Sequence, residues 1–352
     1  MKRDRTEIDD PGRTTSRRAA LKAAGGLGVA GLAGCLGGKK TTDSITLGTL
    51  NVFPMMQWFV IEQQGWYDEA LDVEVKVETF GGGPGVIQAF ASKEIDFAYV
   101  GISPGAIAIA KGIPSKVVAA NVIEPNVMVA NEKFRTLWAE HGKDAFAKFR
   151  EQEGRRPSFA TLPAGSTPDV FLRYWITEQL GLDLKEAVNV KRMGASALRS
   201  TLVSGKVDGG SVIEPIRTLL IENTEQMRPF RYAGEIMPGQ PGAVLQPSQS
   251  LIDKQPEIVG SLVEQHVRAT EFIKANREKA ATMASKSVGT DVLPKDVSKR
   301  AIKSPASNFI SDPRQIVDKT LVYNDFHRRI GKVDKDLSEG DVFDHSFYKD
   351  TT

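Results

Sequence analysis

Between residues 45 and 215 the chain carries the same supersecondary unit twice, and that repetition constrains the fold more than any other feature. The first copy runs Thr49-Leu50, Glu62-Gln63-Gln64-Gly65, Val73-Glu74-Val75-Lys76, Ser92-Lys93-Glu94-Ile95-Asp96 and Pro104. The second runs Thr161-Leu162, Glu178-Gln179-Leu180-Gly181, Val188-Asn189-Val190-Lys191, Ser204-Gly205-Lys206-Val207-Asp208 and Pro215. Order is kept, and the spacings differ by only a few residues in loops, where insertions concentrate. Each copy parses as strand, helix, strand, helix, strand. In the first, Ile45–Leu50 reads as a strand, and Met55–Gln64 as a helix opened by Pro54 and closed by Gly65. Val73, Val75 and Val77 alternate as a strand, Val86–Ser92 reads as a helix and Ile95–Val100 as a strand. The second copy uses Pro157–Leu162, Asp169–Leu180, Ala187–Met193, Ala195–Ser204 and Val207–Ile213.

Strands alternating with helices imply parallel sheets with right-handed crossovers, which bind ligands at the carboxyl ends of their strands. The expected fold class is therefore α/β with two lobes facing across a cleft, each a mainly parallel sheet flanked by helices. Two short apolar runs beside prolines, Asn126–Ala130 and Ala243–Gln246, are expected to form a two-strand hinge. On this reading one lobe comprises 45–127 and 243–352, and the other 128–242. Residues 250–352 read as mostly helical: Ile258, Leu262, His266, Ala269 and Ile273 fall at helical spacing behind Pro256.

The N-terminus predicts a compartment. Arg17 and Arg18 precede a short, weakly apolar segment, the pattern of a twin-arginine export signal, and Leu32-Ala33-Gly34-Cys35 has the form of a lipobox. Residues 1–34 would be the signal, Cys35 would be lipidated, and 35–44 would be a tether. The expected location is the outer face of the cytoplasmic membrane. Over the whole chain 46 basic residues face 44 acidic; without residues 1–34 the balance becomes 39 against 40. Nothing in that balance points to nucleic acid. Cys35 is the only cysteine and the four histidines lie far apart, so no thiolate, disulfide or metal chemistry is expected and no cofactor.

The order of several motifs resembles a known family, the solute-binding proteins of ABC importers of the sulfonate, nitrate and taurine type. The pieces are Gly65-Trp66-Tyr67, the Gly81-Gly82-Gly83 turn, Ser92–Phe97 running into Val100-Gly101, the Ala164-Gly165-Ser166-Thr167 turn, and Val207-Asp208 leading to Glu214-Pro215. The similarity spans roughly residues 45–330. It implies a type II periplasmic-binding-protein fold, a small ligand closed between two lobes, permease and ATPase subunits as partners, and a monomeric receptor that is not an enzyme. The chain departs from the family pattern at 131–157. There Phe134, Leu137, Trp138, Phe146 and Phe149 suggest two extra helical turns around Gly142, placed to cover the cleft mouth or to meet the permease.

Positions at the carboxyl ends of the strands are candidate ligand contacts: Asn51 and Phe53, Gly82 and Gly83, Ile102 and Ser103, Ser166 and Thr167, and Glu214. Several precede helices, whose free N–H groups and positive ends suit an anionic head group without an arginine clamp. Ser166 and Thr167 suit helix capping as well as ligand contact. A carboxylate at Glu214 would repel an anion, so it would meet the amine of a zwitterion or bind hinge backbone instead, with Arg192 or Arg199 as possible neutralising partners. Phe80, Met55, Met56 and Trp58 are candidates for an apolar wall or for core. Three other readings stay open: a binder of a thiamine-pyrimidine-like metabolite, an exported enzyme on the same scaffold, and a sensing subunit.

Overall fold

The computed structural model describes residues 44–349. The twin-arginine pair Arg17 and Arg18, Cys35 and most of the 35–44 tether lie outside the described residues. The first unit supplies β1 (Ser44–Leu50), β2 (Glu74–Phe80) and β3 (Phe97–Gly101), followed by β4 (Ala119–Ile123) and β5 (Val127–Ala130). The second supplies β6 (Ser158–Thr161), β7 (Asn189–Arg192) and β8 (Gly209–Val212), followed by β9 (Arg228–Tyr232), β10 (Pro241–Pro247) and β11 (Asn308–Phe309).

Two sheets result, in the orders β11-β4-β10-β3-β1-β2 and β7-β6-β8-β5-β9. In each, the first strand of a unit lies between the second and third strands and pairs in parallel with both. The expectation of mainly parallel sheets needs correction, because both sheets are mixed. β10 runs antiparallel between β3 and β4, and β5 runs antiparallel between β8 and β9. A strand that arrives from the other half of the molecule has no βαβ crossover to reverse it, so it enters antiparallel.

The runs read as a hinge are thus fully buried strands inside the sheets. The chain passes between the sheets through Glu124–Asn126 and through 233–240. These two passages are bonded to each other: Glu124 N–H donates to Gln240 O at 2.7 Å, Gly239 N–H to Glu124 Oε1 at 2.7 Å, and Ala233 N–H to Asn126 O at 2.9 Å. Glu124 holds a left-handed backbone, φ 57°.

The helices between strands form where the spacing predicts them. Met56–Gln64 ends at Gly65 with φ 67°, and the helical run from Thr167 to Gln179, its last turn a π-helix, is followed by Gly181, also at φ 67°. Long helices follow β10: Val317–Arg329 packs on the helix Ile102–Ala110, and Pro256–Ala275 packs on β4 and β11 of the first sheet. His266 is fully buried there, bonded to Tyr99 Oη at 3.2 Å and Ala120 O at 2.8 Å.

The insert forms two helices, Glu132–His141 and Ala145–Glu153, about a turn at Gly142. Their apolar faces pack on the second sheet, away from the cleft. The Phe134 ring lies 5.0 Å from Phe159 and 5.8 Å from Phe230, and Trp138 lies 5.1 Å from Trp175. Each such ring pair adds about 0.5–1.5 kcal/mol beyond its buried area. The insert therefore supplies the second lobe with a core that the first lobe draws from the C-terminal helices.

Candidate functional site

A cavity of about 670 Å³ lies between the two sheets, within the size range of small-molecule sites. Its walls come from the carboxyl ends of the strands of both units. Asn51 follows β1, Gly81 to Gly83 follow β2, Gly101 and Pro104 mark the end of β3, and Leu162, Pro163, Ser166 and Thr167, with Gly194 to Ala197, follow β6 and β7. Val288 and Val292, from the C-terminal helical region, add to one rim. No ionisable side chain is among the described residues that line it.

Four helices begin at this cavity: Gly83–Ser92, Ile102–Ala110, Thr167–Tyr174 and Ala195–Val203. Three start from glycine (Gly82, Gly101, Gly194), which has no side chain to bond the first amides. The first N–H groups of a helix have no intrahelical partner, and the peptide dipoles add positive potential there. Ala195, Ser196 and Ala197 line the cavity as the first turn of their helix. The site is therefore electropositive through backbone alone, with apolar walls from Leu50, Val52, Met55, Phe80 and Ile213.

The one carboxylate in these first turns, Asp169, is neutralised. It is fully buried, accepts the Gly165 N–H at 3.0 Å and pairs with Arg192 Nε at 2.6 Å. Ser166 caps its helix by accepting the Asp169 N–H at 3.4 Å. The Thr167 hydroxyl joins the halves of the molecule: it accepts the Ser103 N–H and donates to Gly242 O, each at 3.4 Å. Glycines permit two close approaches here, one to Thr167 and one to Pro104. A Cβ on Gly101 would sit 2.7 Å from Thr167 Oγ1, and one on Gly83 would sit 2.7 Å from Pro104 Cγ.

Of the residues named from sequence, Asn51, Gly82, Gly83, Ser166 and Thr167 line the cavity together. Phe53 and Ile102 are buried in the core beneath it and do not line it. Phe80 and Met55 face the cavity, whereas Met56 and Trp58 are core.

Ser103 sits just behind the wall. Its hydroxyl donates to Gly165 O at 3.1 Å and meets His327 Nε2 at 3.0 Å. Among the described residues no carboxylate meets His327, whose Nδ1 is buried without a partner, so this serine–histidine contact lacks the acid of a hydrolytic triad.

Glu214 does not line the cavity. It is 1 % exposed, accepts the Thr218 N–H at 3.1 Å and lies 3.8 Å from Arg217, while burial holds its carboxyl above the usual range. Its cation is thus Arg217 rather than Arg192, which binds Asp169, or Arg199, whose guanidinium reaches Val292 O at 3.5 Å.

Asn126 is the residue that sequence reasoning passed over. It stands in the cavity wall on the passage between the sheets. The only signal was an asparagine placed directly between a proline and an apolar strand.

Among the described residues no helix is long and apolar enough to cross a membrane, and no group of three or more His, Cys, Asp or Glu could hold a metal ion.

Comparison with known proteins places this geometry. The nitrate-binding protein NrtA from Synechocystis PCC 6803 superposes with a TM-score of 0.73 at 15 % identity, over 88 % of each chain. The ligand-binding component of an ABC-type import system from Staphylococcus aureus gives 0.70 at 17 % identity, over 88 % of this chain and 99 % of that one. The alkanesulfonate-binding protein SsuA from Xanthomonas axonopodis pv. citri, bound to MOPS, gives 0.68 at 13 % identity, over 86 % and 98 %. Among curated proteins no sequence match is found. The α/β fold with two mixed sheets is that of the periplasmic binding proteins, and the match of the NMT1-like family model to residues 38–287 makes this chain a member of the NMT1-like family.

Proposed function

We propose that the protein is the solute-capturing component of an ABC-type importer and that its ligand is a small organic anion held in the cavity between the sheets. One observation carries the reading: four helix starts converge on a cavity that contains no charged side chain. Such a site favours negative charge through peptide N–H groups, and its apolar walls leave room for a carbon body. The zwitterion variant loses its support because Glu214 is turned into the interior. The family and fold also support a receptor: one structure of similar fold is named as the ligand-binding component of an ABC-type import system and another as a periplasmic nitrate-binding protein.

On this reading the two lobes close on the ligand by bending at Glu124–Asn126 and 233–240, and permease and ATPase subunits receive the closed form. Lipidation at Cys35 would hold the protein outside the cytoplasmic membrane. Cys35→Ala should then release it from the membrane fraction with ligand binding intact, and continued pelleting with membranes would remove the anchor from the proposal.

The test of the ligand class is a thermal-shift panel of small anions, zwitterions and pyrimidines, repeated with Ser196→Asp. A ligand at 100 times its Kd adds about 2.7 kcal/mol of stability. A new carboxylate at the helix start opposes an anion by about 4 kcal/mol at ~4 Å if the effective dielectric is ~20. Organic anions should therefore raise the Tm of the natural protein and leave the variant unmoved. A response confined to uncharged pyrimidines, or anion binding undiminished by Ser196→Asp, would overturn the reading.

A further inference from the structure

Among the described residues, Asn126 is the only carboxamide side chain whose donor and acceptor are both buried without a partner. It is fully buried, and its main-chain oxygen is already taken by the Ala233 N–H. Neighbouring asparagines are used by the fold: Asn121 Nδ2 donates to Pro54 O at 3.0 Å, and Asn131 Oδ1 accepts the Phe134 N–H at 2.9 Å. Buried polar groups are nearly always paired, and leaving both ends of a carboxamide unmade is unfavourable for the free protein. Leucine at this position would be cheaper to fold. The residue also lies in the wall of the cavity, beside Pro125 on the first of the two passages.

We propose that Asn126 determines ligand specificity by pairing with a donor–acceptor edge on the ligand. This rests on the reading of the cavity as an anion receptor and narrows it. An anion that offers only acceptors, such as nitrate or an alkanesulfonate, could satisfy Asn126 Nδ2 but would leave Oδ1 unpaired. The ligand that satisfies both ends carries an N–H or O–H donor next to an acceptor, the chemistry of a primary carboxamide, a urea, a lactam or a sulfamate, joined to the negative group that the helix starts hold. Discrimination of this kind is strong because the wrong ligand leaves a buried group of the protein unpaired.

The experiment uses matched anions that differ only in a donor: sulfamate against methanesulfonate, oxamate against pyruvate, and succinamate against levulinate. In each pair an NH₂ replaces a CH₃ of nearly the same size. Calorimetry on the natural protein should show the donor-bearing member binding about tenfold or more tightly, the effect of one buried hydrogen bond left unmade. Asn126→Leu should abolish that preference, and Asn126→Asp, of the same shape but without the donor, should weaken both members. The ligand-free Tm adds a second readout, since Asn126→Leu should hold or raise it. A clear fall in that Tm, or a preference that survives Asn126→Leu, would assign the side chain to the fold instead. Equal binding of both members by the natural protein would overturn the specificity role while leaving the anion receptor standing. Binding of none of the six would overturn both.

Discussion

The two lobes pair their leading strands in the same register and fill it with opposite side chains. In the first, Leu47 faces Phe97 and Gly48 faces Ala98; in the second, Phe159 faces Gly209 and Ala160 faces Gly210. The aromatic ring has moved from the third strand of the unit to its first, and the glycine of the second pair has moved the other way. A Cβ on Gly210 would lie 2.3 Å from Ala160 O, and one on Gly209 would lie 2.8 Å from the Phe159 ring. Only the second pair keeps its volume, glycine and alanine having exchanged strands; in the first, a glycine stands against the ring where the first lobe has Leu47, so the two lobes fill the same register differently.

The same comparison explains the aspartates. Asp96 and Asp208 occupy one place in the unit, and each accepts the N–H of the strand beside it at 2.8 Å: Thr46 in one lobe, Ser158 in the other. Only Asp208 is further enclosed. Arg155 bonds both its oxygens, at 2.6 and 3.0 Å, and Asn131 Nδ2 approaches at 3.2 Å. Arg155 and Asn131 both come from the insert, so the insert serves to lock the second lobe as well as to fill it.

Acid should separate the lobes most strongly. His266 and His327 both belong to helices that follow β10 and pack on elements of the first lobe, and burial holds each down to about 4. Because the folded state keeps them neutral while the unfolded chain protonates near 6.5, their contribution is intact above about pH 6.5 and is lost as pH falls toward about 4. Each shift corresponds to ~3 kcal/mol. Urea unfolding at several pH values should show stability falling through that window, and His266→Gln should flatten the fall by ~3 kcal/mol. An unchanged slope would remove this difference between the lobes.

A smaller effect is expected from the aspartates. Asp208→Ala, which strands a partly exposed Arg155 and a buried strand N–H, should cost ~2–3 kcal/mol, against ~1 kcal/mol for Asp96→Ala. Equal costs in denaturant unfolding would mean that the cage of the insert adds nothing. The smallest effect concerns one turn. Lys93 and Gly205 take the same left-handed backbone after equivalent helices, φ 61° and 65°. Lys93→Gly should therefore be neutral or gain up to ~1 kcal/mol in the first lobe. Gly205→Lys should destabilise the second, because a Cβ there also meets Gln226 Oε1 at 2.4 Å. A loss of stability in Lys93→Gly would show that the lysine does more than tolerate the turn.

Much of the fold was legible because the repeat places hydrophobic periodicity, helix stops and turn residues in one order twice. Even the misalignments keep parity. The sequence match sets Val75 against Val190, whereas the sheets set Val77 against Val190, judged by their partners Leu47 and Phe159. That slip of two residues leaves every side chain on its own face. The site was legible by half: strand ends before helices led to Asn51, Gly82, Gly83, Ser166 and Thr167. Glu214 misled because a carboxylate at a strand end looks the same whether it points into the cleft or folds back onto Thr218 N–H.

Sequence alone thus determined two α/β units, their helices and turns, and which loops gather at the strand ends, because all of these follow from local periodicity and backbone preference. Tertiary structure decided the rest. The mixed sheets, the insert packed on the second sheet rather than over the cleft, the burial of Glu214 and the place of the buried Asn126 in the cavity wall all depend on how separate segments come together. No residue pattern within one segment encodes such a meeting; it is settled by volume, by paired charges and by which polar groups are left without partners.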